Sequence, residues 1–285
     1  MSGMENLHSM CLETENCTEK ISLDIQSEWL NREVRTDAWI PRQVSRHDIP
    51  SLLLINDGQL MEELGLADLL ETALRARKIR PLVCIAIHAG SERKQEYGTA
   101  GHPNYLDQGS KAEAYTRFVF EELLPAWRRE LPWQQFHEKA FAGFSLGGLS
   151  ALDITWAHPH EFSTVGVFSG SLWWRNLDQD DPAYDDDKHR IMHQLVRRGH
   201  FAPWLRFFFE TGILDETSDR NGNGIIDSID DTLGLIAELE AKGYPEQQIR
   251  YLELSDGRHD VATWARAMPL FLEWAFPSSV NAIRG

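Results

Sequence analysis

The sequence predicts an α/β fold in which a mostly parallel, doubly wound central sheet carries helices on both faces, and three observations point to it. The apolar runs Leu52-Leu53-Leu54-Ile55 and Leu82-Val83-Cys84-Ile85-Ala86-Ile87 are continuous rather than alternating, as suits central strands covered on both sides. Amphipathic stretches separate such runs: Lys111 to Arg129 sets Tyr115, Phe118, Val119, Leu123 and Trp127 at three-to-four spacing, so that one stripe can face a sheet. Strand and helix then alternate steadily to the end of the chain, the order expected of parallel strands joined by crossover helices.

Taken in order, residues 1–19 have little periodicity and are expected to be a mobile leader. One domain is expected over 20–285. Ile21 to Ile25 and Val34 to Ile40 alternate and read as two half-exposed strands, an edge hairpin. Leu60 to Lys78 reads as a helix between the two apolar runs. Val165 to Phe168, Leu205 to Phe209 and Ile249 to Leu254 add strands, with helices around Ile191 to Arg197, Leu233 to Lys242 and Val261 to Phe276. The acidic tract Asp178 to Asp187 reads as a solvated part of a cap excursion over 171–204.

The 285 residues, 42% of them hydrophobic with 10 Trp and 13 Phe, suffice for a large core. The balance of Lys and Arg against Asp and Glu leaves −16, which repels nucleic acid and anionic membrane and excludes both as partners. Cys11, Cys17 and Cys84 form no C-x-x-C pattern, and their odd number argues against a disulfide scaffold. The opening residues lack the basic start and apolar stretch of a signal peptide, and no run approaches the roughly 18 apolar residues of a membrane span. A cytoplasmic location is the resulting expectation, with self-association into a homo-oligomer left open.

Chemistry enters at Gly143-Phe144-Ser145-Leu146-Gly147, a G-x-S-x-G pattern flanked by a short buried strand and a good helix. Such a turn lifts a serine hydroxyl clear of a sheet, whereas without its flanks the same letters are only a glycine-rich helix start. A serine nucleophile needs a base held by an acid, in the chain order Ser, acid, His on this scaffold. His259, in the polar loop Ser255 to Asp260 before the final helix, is the expected base, against the plainer reading of an exposed loop histidine. Asp215 is the expected acid after the Phe207-Phe208-Phe209 strand, preferred over Glu210 and Glu216. For the oxyanion, the N–H of Leu146 follows the nucleophile, and the N–H of Gln59 leaves the first central strand after Asn56-Asp57-Gly58, a segment equally readable as an ordinary turn. Arg93, Tyr97, Trp173 and Trp174 are expected to line a substrate pocket, although aromatic residues at strand ends more often pack.

In combination, Asn56-Asp57-Gly58-Gln59, Arg93 to Tyr97, Glu122 to Pro125, Gly143 to Gly148 and Gly257-Arg258-His259-Asp260 with Trp264 resemble the putative-esterase family. That family includes enterochelin esterases, feruloyl and acetylxylan esterases and mycolyltransferases. The resemblance spans about Ile21 to Phe276. It implies an α/β-hydrolase fold and a serine carboxylic-ester hydrolase, with Ser145, Asp215 and His259 on the family's triad and Gln59 and Leu146 on its oxyanion positions. It implies no cofactor for catalysis and a small-molecule ester as substrate. Cytoplasmic enterochelin esterases carry a further N-terminal domain for which this sequence has no room, so siderophore esters stand beside feruloyl and acetyl sugar esters. An acyltransferase would use the same triad on another acceptor, and a non-catalytic binding protein would normally have lost one of its members.

One segment departs from the family pattern. Asp219, Asn221, Asn223, Asp227 and Asp230 fall at positions 1, 3, 5, 9 and 12 of the stretch 219–230, with Gly224 at 6 and an aliphatic residue at 8. This is the oxygen-cage spacing of an EF-hand-type loop, the main chain of Ile225 supplying position 7, and it predicts a structural calcium site. An Asn-Gly-rich turn without metal is the alternative.

Overall fold

A computed structural model describes residues 16–42, 44 and 49–278. The expected leader over residues 1–15, with Cys11, lies outside the described residues. Thr18 and Glu19, assigned to that leader, instead open strand β1 (Thr18–Ser27), which pairs antiparallel with β2 (Arg32–Pro41) as the predicted edge hairpin. Asn31 closes the turn in the left-handed region at φ 51°, a conformation that its short amide side chain tolerates.

The remaining strands are β3 (Ser51–Asn56), β4 (Leu82–Ile87), β5 (Lys139–Phe144), β6 (Thr164–Phe168), β7 (Arg206–Leu214) and β8 (Ile249–Arg258). They lie in the order β1-β2-β4-β3-β5-β6-β7-β8, and every pairing from β4 to β8 is parallel. The helices are α1 (Leu66–Arg75), α2 (Arg93–Glu96), α3 (Ala112–Arg117), α4 (Leu124–Glu130), α5 (Leu146–Ala157), α6 (Asp186–His189), α7 (Ile191–Arg198), α8 (Asp227–Lys242) and α9 (Val261–Ala275). This is the mixed α/β fold, mostly parallel with helices on both faces, that the sequence predicts.

The two-residue period of a strand explains why the core is double. Leu52, Leu54, Val83, Ile85, Phe207 and Phe209 face one way, onto a cluster completed by α3, α4, α5, α7 and α8. Leu53, Ile55, Cys84, Ala86 and Phe208 face the other way, onto α1 and α9. Each fully buried Phe or Leu in these layers contributes about 2–3 kcal/mol of transfer free energy. Cys84 lies inside its strand with a thiol pKa pushed up by burial, as a packing residue. Among the described residues no helix is long and apolar enough to cross a membrane.

The expected long helix Lys111 to Arg129 is interrupted by a π turn over Phe118–Leu123, where Leu124 donates to the carbonyl of Val119. Pro125 has no N–H for the next carbonyl in the ladder, and the wider turn absorbs the mismatch while keeping Phe118, Val119, Leu123 and Trp127 buried. The segment 171–204 is the crossover between β6 and β7 rather than a detached cap. Its Leu172, Trp174, Met192 and Val196 belong to the main core cluster.

Strands β7 and β8 run further than their apolar runs suggest. They continue as a parallel ribbon with Gly212 opposite Leu254 and Leu214 opposite Arg258, across an irregularity between Gly212 and Leu214. Gly212 and Gly257 read as turn residues, yet their role is close approach: a Cβ on Gly212 would stand 2.3 Å from the Gly257 carbonyl carbon.

Candidate active site

Ser145 joins β5 to α5 at φ 53° and ψ −121°, a conformation costly for a residue with a side chain and characteristic of a nucleophile elbow. Four main-chain hydrogen bonds hold it there: its N–H donates to Phe168 O at 2.8 Å, and its carbonyl accepts from Gly148 at 3.0 Å, Leu149 at 3.2 Å and Ser171 at 3.1 Å. The flanking glycines are required by contact. A Cβ on Gly143 would lie 2.3 Å from Gly147 O, and one on Gly147 would lie 2.5 Å from a carboxylate oxygen of Asp57. Ser145 alone of its turn keeps solvent access, and its Oγ lies 3.3 Å from Ser171 Oγ. Leu146 opens the helix, so its N–H has no partner within α5 and points with the positive end of the dipole toward the serine.

The end of β3 is tied to this turn. Asn56 donates from Nδ2 to Gly147 O at 2.8 Å and accepts from Tyr115 OH at 2.5 Å. Asp57, buried and left-handed at φ 61°, accepts from Arg93 Nε at 2.6 Å and Nη2 at 2.8 Å, a bidentate fork. Gln59 stands exposed in the short 3-10 turn Gly58–Leu60, its side chain bridging Asp57 and the N–H of Ala89. Tyr97, expected in a substrate pocket, is instead fully buried beneath Arg93, where its hydroxyl accepts from Asp57 N–H at 3.3 Å. Trp174 is likewise fully buried, wedged against Gly98 and Gly109; only Trp173 of that pair reaches the surface.

The β7–β8 ribbon supplies the other flank. Because Leu214 pairs with Arg258 in a parallel register, the next residues, Asp215 and His259, leave the ribbon side by side. His259 is fixed from both neighbours: Arg258 N–H donates to Thr263 Oγ1 at 2.9 Å, and Asp260 caps α9 by accepting from Thr263 N–H at 2.9 Å. Its ring is open on one side and edge-on to Trp264, with centroids 5.4 Å apart. Partial desolvation holds its pKa below the ordinary histidine value, helped by Arg93 and opposed by the charge of Asp215.

Asp215 is held above the usual carboxylate range by burial, against the pull of the Gly212 main chain, the Ser169 hydroxyl and His259. Those groups lie near it, but neither of its oxygens has a donor at hydrogen-bonding geometry. Glu210 continues the Phe208 face of β7 into the space under Asp215. It is buried with both oxygens unpartnered, and burial plus the charge of Asp215 pushes its pKa up to about 8. Ser169, at φ 44°, touches this acidic pair and accepts from Trp264 Nε1 at 3.0 Å. Ser145, Asp215 and His259 are thus gathered at the C-terminal ends of β5, β7 and β8, and no hydrogen bond links the three in this structure. Ser169 and Ser171, next to this trio, are missed by sequence reasoning; the only signal was their place in Ser169-Gly170-Ser171 at a strand end.

A family model described as "Putative esterase" matches residues 27–274, nearly the whole of this architecture. The chain belongs to that family. It is 31% identical over 168 residues to the iron(III) enterobactin esterase of Dickeya dadantii, covering 56% of this chain and 36% of the relative. It is 28% identical over 127 residues to the iron(III) salmochelin esterase of Escherichia coli O6:H1, covering 43% and 29%. The chain therefore spans about a third of the length of the curated relatives it matches. Among solved structures, the enterochelin esterase of Shigella flexneri superposes with a TM-score of 0.68 at 21% identity over 93% of this chain and 59% of that one. A ferulic acid esterase gives 0.69 at 16% identity over 92% and 99%. These likenesses show the shared fold.

In this member of the esterase family the stretch 219–230 is an ordered turn. Asp219 accepts from Asn223 N–H at 3.1 Å and Gly224 N–H at 2.9 Å, and Asp230 accepts from the side-chain amides of Asn221 at 3.0 Å and Asn223 at 3.1 Å. Asp227 accepts from Arg220 N–H at 2.9 Å, and Ile225 donates to the Asn223 side chain at 2.8 Å. The loop's own donors thus occupy the oxygens of the proposed cage. Among the described residues no group of three or more His, Cys, Asp or Glu side chains is arranged to hold a metal ion.

Proposed function

We propose that this protein is a serine carboxylic-ester hydrolase of the enterochelin-esterase type, with Ser145 as nucleophile, His259 as base and Asp215 as the acid that orients it. One observation carries the reading: Ser145 is held in a strained, partly solvated turn at the N-terminus of α5, at the sheet end where the β7–β8 register sets Asp215 beside His259. In the reaction, Ser145 Oγ attacks the ester carbonyl as His259 takes its proton, and the N–H groups of Leu146 and Gln59 stabilise the oxyanion. His259 returns the proton to the departing alcohol. Water then repeats the sequence on the acyl-enzyme and releases the acid. Ser145 Oγ meets Ser171 rather than His259 in this structure, so the proton transfer requires the exposed His259 side chain to come within hydrogen-bonding reach as substrate displaces that contact. The substrate is a small-molecule ester, and no cofactor takes part in the chemistry.

The test is Ser145→Ala, assayed against acyl 4-nitrophenyl esters, acetylated and feruloylated sugars and a catecholate siderophore. A folded protein with hydrolysis reduced by about 10³-fold or more on its best substrate is expected. Retention of over a tenth of the wild-type rate would remove the serine mechanism.

A further inference from the structure

The crossover that follows Ser171 carries a charged group for which the fold provides no counter-ion. Arg175 is 8% exposed, and its Nε is enclosed without a hydrogen-bond partner. Among the described residues its guanidinium makes no ion pair and no hydrogen bond, although neighbouring arginines are fully engaged: Arg190 with Asp231, and Arg220 with Asp186, Asp227 and Asp231. What surrounds Arg175 is aromatic. Its guanidinium carbon lies 5.5 Å from the centroid of Tyr105, 5.5 Å from Trp173 and 5.8 Å from Tyr184, and all three rings are half-buried. The backbone is anchored on both sides, by Tyr105 N–H donating to Arg175 O at 2.9 Å and by a bridge to Arg190.

Ring faces attract a cation but accept none of its N–H groups, and a guanidinium has five to place. Burying such a group without acceptors is costly, and evolution has acids close by that serve other arginines. The box is also close to the nucleophile along the chain: Ser171, whose Oγ meets Ser145 Oγ, begins the short segment that ends at Arg175. Trp173, on the same side as Arg175, is the ring of this segment that reaches solvent.

We infer that Arg175 and its ring of Tyr105, Trp173 and Tyr184 form a specificity site for a carboxylate carried by the ester substrate, the planar fork taking both oxygens while the rings flank the attached carbon skeleton. This rests on the esterase reading above and deepens it by naming the substrate class, an acidic ester. In a chain with a net charge of −16, long-range fields repel such a substrate, so selectivity has to come from this local contact.

The experiment pairs 4-nitrophenyl hydrogen glutarate with the neutral 4-nitrophenyl pentanoate. Wild type is expected to favour the acidic ester by about tenfold or more in kcat/KM, mainly through KM, and Arg175→Met to collapse that ratio toward one, with Arg175→Lys between them. A wild-type preference for the neutral ester, or a ratio unchanged in Arg175→Met, overturns the inference. A second arm needs neither turnover nor a variant: titration of the wild-type protein with benzoate, followed by tryptophan emission, should saturate and be competed by glutarate but not by pentanamide. Absence of that change overturns the site even if Arg175→Met fails to fold. Saturable binding without hydrolysis of either ester sinks the esterase reading while keeping the carboxylate site.

Discussion

On the β3 side of Ser145 the buried carboxylate of Asp57 receives two N–H donors from Arg93, and the side chain of Asn56 is bonded at both its nitrogen and its oxygen. On the β7 side the carboxylates of Glu210 and Asp215 are enclosed and receive no hydrogen bond at all. The two flanks contain similar groups at similar depth and treat them in opposite ways. The first is finished before any ligand arrives: its acid is held by a bidentate partner and its strand end is locked to the Ser145 turn. The second is left electrostatically incomplete. Burial raises the pKa of both acids, and the charge of Asp215 raises that of Glu210 further, so the flank is comfortable only while a proton sits on Glu210 or a positive charge stands on His259. In the proposed reaction His259 would become positive while relaying a proton and so supply that charge at the moment it is needed.

The contrast can be broken most severely at Asp215. Asp215→Asn is expected to lower kcat by about 10⁴-fold, since the amide neither fixes the imidazole tautomer nor balances its charge. The wild-type acid limb should fall below pH 6.5, the ordinary value for histidine, because His259 is depressed. Any residual activity in Asp215→Asn should show that limb lower still, the carboxylate that raises the His259 pKa having gone; pH–rate profiles of the two proteins decide this. An acid limb that moves upward would place His259 out of reach of Asp215.

On the satisfied flank, Asp57→Ala removes both acceptors of the Arg93 guanidinium beside the Ser145 turn and should cost about 1–3 kcal/mol in denaturant unfolding, less than for a fully buried pair because Arg93 keeps 31% exposure. A cost below about 1 kcal/mol would mean that the fork adds little to the turn.

Glu210→Gln is expected to act in the opposite direction. A carboxyl whose folded pKa lies above its ordinary 4.5 keeps its proton longer in the folded state, so wild-type stability falls as pH rises from about 4.5 to about 8. The slope from this group is at most roughly 1.4 kcal/mol per pH unit, and the amide, which does not titrate, should flatten it. Activity should fall by less than about tenfold in this variant, because Glu210 works as a neutral neighbour to Asp215. Identical stability slopes in urea melts across that range would show that Glu210 is already ionised.

The smallest effect concerns the stretch 219–230. If calcium enters the oxygen cage, millimolar calcium should raise Tm relative to EDTA, by an amount set by mass action, about 2.7 kcal/mol at a hundredfold excess over Kd, and Asp219→Ala should abolish the difference. Superimposable melting curves would leave the segment as a turn closed by its own hydrogen bonds. Catalysis should respond only as far as Asp215 is displaced.

The sheet was legible because its information is repetitive: every central strand announces itself by an apolar run, and the hairpin by alternation. The strand-to-helix turn at Ser145 was legible because glycine spacing there reflects close contacts of the backbone. What stayed hidden depends on single positions. Gly212 and Gly257 carry the same letter as turn glycines but serve an extended ribbon, so the ends of β7 and β8 read as loops. Glu210 looked like one of three acids in a loop, and only its place on the Phe208 face of a strand reveals why it is buried. Tyr97 and Trp174 read as pocket aromatics, yet both rings are fully buried, their polar atoms meeting main-chain groups of Asp57 and His102. Arg175 gave no sign in the sequence, since an unpaired charge is a statement about its surroundings.

The register of Leu214 against Arg258 constrains how this chain can change in length. One residue inserted before Asp215 or before His259 would rotate that side chain to the opposite face of the ribbon, and the pair would no longer meet. A residue inserted within the exposed stretch 221–225 meets no such rule, because that stretch is held by hydrogen bonds local to the loop, whereas Arg220 ahead of it is tied to Asp186 and Asp231. Loop grafts, reporter peptides and natural length variation should therefore be tolerated between Asn221 and Ile225, while the few residues ahead of Asp215 and His259 keep a fixed count.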